Sequence, residues 1–144
     1  MRPGGSGAWR RNIDLDLDNL VEEIEGLGNE QRHAVQTALL RTVEHLLRLQ
    51  HSLNDEPRRR WRRAVLNQRV ELQSRLEMNP SLKQPEHLED MLADAWTLGR
   101  RLARAGLMDE DELDAAETIP VNCPYTVDQI LDLDWWPPEP EGKR

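Results

Sequence analysis

Chemistry in a folded chain needs reactive groups held close together, and this chain's candidates are its histidines, its cysteine, its carboxylates and its arginines. Glu30 and His33, in "EQRH", have the Glu-x-x-His spacing that puts both side chains on one helix face, as in di-iron helical bundles. Such sites need the motif twice plus two further inward glutamates, and the chain has no second copy. A solvated helix start is the favoured reading. His45 and His51 flank the end of one helical stretch without a third ligand at recognisable spacing, and His87 stands alone. Cys123 is the single cysteine, so neither an internal disulfide nor a multi-cysteine zinc site can form. Pro124 holds it in an extended stretch, and no neighbouring histidine offers a base. Carboxylates abound, yet no pair stands out from the acidic faces around it. "EGLGNE" follows no strand and is not a phosphate loop. No catalytic, metal or cofactor-binding residue is assigned, and the balance leans away from an enzyme.

The sharpest chemical feature is "EPRRRWRRAV", Glu56 to Val65, with five arginines around one tryptophan. At about 100° per residue with Val65 inward, Arg59, Arg60 and Arg63 point outward, and Arg58 and Arg62 lie at the margin of the apolar stripe. The cations wrap the first turns of a helix, the end where positive charge opposes the dipole. Compensation by the chain's own acidic segments, "DLDLDNLVEEIE" and "MDEDELDAAE", is the favoured expectation. Trp61 would then lie in the core or beneath an arginine. The alternatives are a nucleic-acid contact through the Arg58–Arg63 segment, with Arg59, Arg60 and Arg63 as its surface, and an acidic protein partner docking on the same three.

Composition narrows these choices. The chain has 144 residues, with 19 Lys and Arg against 27 Asp and Glu, a net charge of −8. That sign works against nonspecific contact with phosphate or anionic lipid. No secretory signal pattern and no membrane-length apolar run is present, so a cytoplasmic location is expected. With five Trp, one Tyr, no Phe and few β-branched residues, helices are favoured over strands.

Residues 1–12 form a flexible tail, and 13–137 form a single helical domain. Leu17, Leu20, Val21, Ile24 and Leu27 mark a first helix, capped by Asp16 or Asp18 and ended by Gly26 and Gly28. A second, from about Asn29 to Ser52, carries Val35, Ala38, Leu39, Val43, Leu46 and Leu47. Pro57 opens a third, capped by Asp55 or Glu56, with Trp61, Val65, Leu72 and Leu76 inward, ending near Met78. A short turn in "NPSL" precedes a fourth from Pro85, with Leu88, Met91, Leu92, Ala95, Leu98, Leu102 and Ala103, closed by Gly106. A brief acidic helix in "DEDELDAA", a short one from about Thr126, a Trp135–Trp136 plug and a disordered tail at 138–144 complete the chain. The expectation is an all-α helical bundle of about four long amphipathic helices plus short C-terminal helices.

The ordered motifs "DLDNLVEEIEGLG", "HLLRLQ", "RWRRAVLNQR", "NPSL" and "ETIPVNCPYTVDQILD" together resemble a bacterial family catalogued as domain of unknown function twenty-nine. The resemblance covers about Leu15 to Pro137. It implies a helical fold and brings no established activity, substrate or cofactor. Trp61, Gln68 and Arg69 lie on the shared pattern, which favours packing for Trp61, whereas the arginine run is this chain's own elaboration. Family members commonly carry an additional helix ahead of the acidic one, where this chain has "MRPGGSGAWRRN", with Trp9 read as a remnant. Apolar surface left by a missing element is often closed by another subunit. The functional expectation is a protein-interaction domain with an unknown protein partner or a homodimer, without a cofactor or a membrane contact.

Overall fold

The computed structural model describes residues 6–141, with side chains from Asn29 onward. The chain divides into two compact units, Met1–His33 and Ala34–Arg144. The described part of the first is helical and belongs to α1, Ser6–His51. The spacing predicts a break at Gly26 and Gly28, yet α1 runs through both. A glycine inside a helix costs only about 1 kcal/mol relative to alanine, and it ends a helix only where the chain also turns into a left-handed cap. The first two expected helices are therefore one, and α1 begins inside the stretch read as a tail. The Leu17–Leu27 stripe and its caps lie outside the residues with described side chains.

The second unit holds the rest of α1, then α2, Arg58–Met78; a 3-10 turn, Pro80–Lys83; α3, Pro85–Asp109; α4, Leu113–Glu117; and α5, Val127–Leu131. Among the described residues there is no strand, and the fold is all-α. Pro57 occupies the N-cap of α2, and no side chain caps that helix. The proline lacks a donor, so its place just outside the first turn leaves no additional amide unsatisfied. "NPSL" supplies the 3-10 turn, and Pro85 begins α3 as its spacing predicts.

The core is the set of stripes meeting. Val35, Ala38, Leu39, Val43, Leu46 and Leu47 of α1 are all buried, as are Trp61, Val65, Leu72 and Leu76 of α2. Each contributes roughly 1.5–3 kcal/mol, apart from the smaller alanine, before conformational entropy is set against it. On α3 the expected stripe is only partly right. Leu88, Met91, Leu92, Ala95 and Ala103 are buried, but Leu98 and Leu102 are exposed, and Trp96, Gly99 and Leu107 lie inward instead. Two overlapping seams can be drawn on this helix. The choice between them follows from Gly99, where an added Cβ would come within 2.7 Å of Val43 Cγ1 and 3.1 Å of the Leu40 carbonyl on α1. Gly106 lies within α3 and does not close it. Its missing Cβ leaves room for the Arg48 guanidinium, which is 3.3 Å from Glu44 and 6.0 Å from the Trp61 ring centre.

Candidate functional site

The start of α2 sorts its arginines by direction. Arg58, only 4% exposed, turns back on the end of α1, where its Nη1 donates to the Leu49 carbonyl at 2.7 Å and its Nη2 to the Ser52 carbonyl at 2.5 Å. These were the orphan acceptors of a helix end, and a cation is the appropriate donor for them. Asp55 at 3.3 Å and Glu139 at 3.8 Å supply the countercharge, and Glu139 also pairs with Arg62. Trp61 is buried in the core. Part of the basic run is thus compensated from within the chain, but by Asp55 and Glu139, which lie in neither acidic segment the sequence singled out. Of those segments, "DLDLDNLVEEIE" lies outside the residues with described side chains.

Arg59, Arg60 and Arg63 behave differently. All three are exposed, and none forms an ion pair or hydrogen bond among the described residues. Arg59 and Arg60 line a surface depression with Asn54, Asp55, Glu56, Pro57 and Glu110. The cations therefore share their surface with acidic groups that do not close on them.

A second arrangement is built around Arg69, which is fully buried. It follows Trp61 and Val65 at four-residue steps and precedes Leu72 by three, so it occupies an inward position of an otherwise apolar stripe. Its Nε donates to the Ile130 carbonyl at 2.9 Å and its Nη2 to the Gln129 carbonyl at 3.1 Å, while the Trp136 ring lies 5.1 Å from its Cζ. Burial pulls this guanidinium below its ordinary value, and the Asp132 carboxylate opposes that effect. Its Nη1 is buried without a hydrogen-bond partner, and no carboxylate among the described residues reaches ion-pair distance. Arg69 serves as a cationic donor to backbone oxygens rather than as half of an ion pair.

Other side chains grip the same C-terminal segment. Gln73 donates to the Leu131 carbonyl at 3.0 Å, Trp96 Nε1 to Val121 at 2.8 Å, and Arg100 Nε to Pro120 at 2.7 Å. Tyr125, buried, donates to Gln50 at 2.8 Å and meets Trp96 and Trp135 edge to face at 6.3 and 5.8 Å. Burial raises its phenol well above the ordinary range, so it stays neutral and acts as a donor. Thr126 and Gln129 form a capping box that starts α5. The motif "ETIPVNCPYTVDQILD" is thereby a strap of carbonyls read by donors on α2 and α3, with Trp135 and Trp136 packed against the core. Residue type and spacing alone assign no role to Arg69, Gln73, Trp96 and Arg100. An arginine standing inside an apolar stripe was the available signal for the first of them.

The histidines and the cysteine do not converge. Glu30 and His33 are exposed, His45 Nδ1 donates to the Arg41 carbonyl at 2.7 Å, and His87 Nδ1 donates to Ser81 at 2.8 Å. Among the described residues no group of three potential ligands stands close enough to hold a metal ion. Cys123 is half-buried, with its thiol pushed up by burial, which makes it a poor nucleophile. His51 is the best-defined histidine. Thr118 Oγ1 donates to the Ala115 carbonyl at 2.7 Å, so the 2.8 Å contact to His51 must come from an Nδ1–H donor. That tautomer leaves a bare lone pair on Nε2, which is buried without a partner, and burial lowers the affinity of the ring for a proton.

Among the described residues no helix is long and apolar enough to cross a membrane. A family model described as "Domain of unknown function DUF29" matches residues 9–136. No curated protein and no solved structure matches the chain.

Proposed function

The chain belongs to the DUF29 family, a domain of unknown function, and on that premise we propose that it is a non-enzymatic protein-interaction module whose contact surface is the start of α2, with Arg59, Arg60 and Arg63 as its anchors. The observation that carries this reading is the division within one basic run. Arg58 is consumed by the end of α1 and Arg62 by Glu139, whereas the other three are exposed and unpaired among the described residues. Arginine is enriched at protein interfaces because its planar head pairs bidentately with carboxylates and tolerates partial desolvation.

A nucleic acid is the second reading, favoured by the same exposure. Against it stand the net charge of −8 and the acidic neighbours Asp55, Glu56 and Glu110, which line the depression with Arg59 and Arg60 and would repel a phosphate backbone. Mixed charge suits a protein surface better.

The test compares the natural protein with R59E/R60E/R63E in co-purification from the native host, alongside salt-titrated binding to single-stranded and duplex oligonucleotides. A defined partner lost from the triple variant supports the proposal. Salt-dependent oligonucleotide binding lost from the same variant replaces it with the second reading.

A further inference from the structure

The depression beside Arg59 and Arg60 does not end at Glu110. A second depression, lined by Leu53, Asn54, Glu110, Asp111, Glu112 and Asp114 among others, shares Asn54 and Glu110 with the first. The two form one groove with opposite character at its ends. One end is the start of α2, where Arg59 and Arg60 share the wall with Glu56 and with Asp55, the latter held by Arg58, and Arg63 lies one turn further on, so that cations prevail there. The other is the link between α3 and α4 with the first turn of α4, where Asp111 and Asp114 are exposed and exposed Glu110 marks the junction. Glu112 is already engaged, accepting from Ser52 Oγ at 2.7 Å and from the Leu53 amide at 2.8 Å, and it ties this link to the end of α1. Glu110 lies on the same wall as Arg59 and Arg60 without closing an ion pair to either. Asn54 and Glu110, common to both depressions, thus lie between the Arg59 and Arg60 end and the Asp111 and Asp114 end.

A surface carrying both signs at opposite ends is complementary to itself when turned through half a revolution. We propose that the groove from Arg59 and Arg60 to Glu110 and Asp114 is an isologous contact with a second copy of this chain. The two-fold axis passes near Asn54, so that each copy's arginines face the other's acidic link. Two exposed apolar side chains flank the acidic end, Met108 at 49% and Leu113 at 51% exposure, and supply area for water to leave. Ion pairs of this exposed kind give register and orientation more than affinity, so the dimer is weak and sensitive to salt. The inference rests on the arginine-face reading above and names its occupant.

The test is light scattering on the full chain at rising micromolar concentration, at about 0.05 M and about 0.5 M salt, where screening differs severalfold in range. The expected mass approaches twice 16.7 kDa at low salt and returns to 16.7 kDa at high salt. Two charge-reversal variants decide the geometry, and circular dichroism verifies that both fold. R59E/R60E makes both ends acidic, and E110K/D114K reverses two carboxylates of the acidic end, leaving it without net negative charge. Each alone should be monomeric, and an equimolar mixture of the two should regain the dimer mass. A natural protein that stays at 16.7 kDa throughout overturns the inference, as does dimerisation of either variant alone or a mixture that does not associate. A monomeric result leaves the arginine-face proposal standing if the co-purified partner is still lost from R59E/R60E/R63E, so the two failures are distinguishable.

Discussion

Arg69 and Arg59 stand on the same helix, yet their surroundings give one side chain two different tasks. Arg69 is fully buried and spends its donors on the Gln129 and Ile130 carbonyls, with Trp136 against its face. Arg59 is exposed, with no hydrogen bond or ion pair among the described residues. The first case has no countercharge at ion-pair distance, and its merit lies in geometry, because a planar fork can satisfy adjacent backbone oxygens that would otherwise be buried bare. The second has charge without geometry. Comparing them teaches that a high density of arginine is not itself a functional signal. What matters is whether the fold has already used the donors.

That contrast can be broken most forcefully at Arg69. Replacing it with Ala removes two charge-assisted hydrogen bonds and opens a cavity, with an expected loss of about 3–5 kcal/mol in urea unfolding. Arg69→Lys should recover only part of the loss, because an ammonium cannot span both carbonyls and stack on Trp136. If Lys restored full stability, the fork geometry would not be what holds the strap. In hydrogen exchange, the Ile130 amide, bonded to the Thr126 carbonyl at 3.0 Å, should lose protection in Arg69→Ala before the amides of α3 do.

At the opposite end of the strap the expected effect is smaller. Trp96→Phe keeps most of the buried ring but deletes the Nε1–H donor to Val121, so about 1 kcal/mol should be lost. Neutral stability for this variant would mean that the strap is anchored by Arg69 and packing alone.

His51 sharpens the comparison through pH. Its folded-state proton affinity is depressed below the ordinary 6.5 by burial. For a group depressed in this way, the unfolded chain binds the proton more readily. The contribution is therefore fully present above 6.5 and is lost progressively as pH falls below that value toward the lower folded pKa. Thermal midpoints should fall between about pH 7 and pH 5.5 in the natural protein and change less in His51→Gln, since most carboxylates titrate lower still.

The least stability effect belongs to the exposed arginines. R59E/R60E/R63E should change unfolding free energy by only about 0.5 kcal/mol per site or less, as surface substitutions do, while altering association. A large loss of stability would show that these side chains hold the fold after all.

Much of this architecture was legible in the chain. The Val35–Leu47 stripe of α1, the stripe of α2, the turns at Pro57 and Pro80, the Pro85 start and the Thr126 cap each follow from one local rule of spacing or stereochemistry. The misreadings share a different origin. Gly26 and Gly28 permit a helix end without imposing one, and Gly106 is a site of close approach to Arg48. Leu98 and Leu102 fit the apolar period as well as Trp96 and Gly99 do, and only contact with α1 and the strap separates them.

Local sequence therefore determined the helical class, most element boundaries and the inward faces of α2 and of α1 from Val35 onward, because helix propensity, prolines and caps act over a few residues. Tertiary structure alone decided that Asp55 and Glu139 would meet Arg58, that Arg69 would serve backbone oxygens of the strap, and that Arg59, Arg60 and Arg63 would stay exposed. Those outcomes depend on which distant groups arrive within about 3–4 Å, a distance over which hydrogen bonds and ion pairs act and which no spacing along the chain encodes.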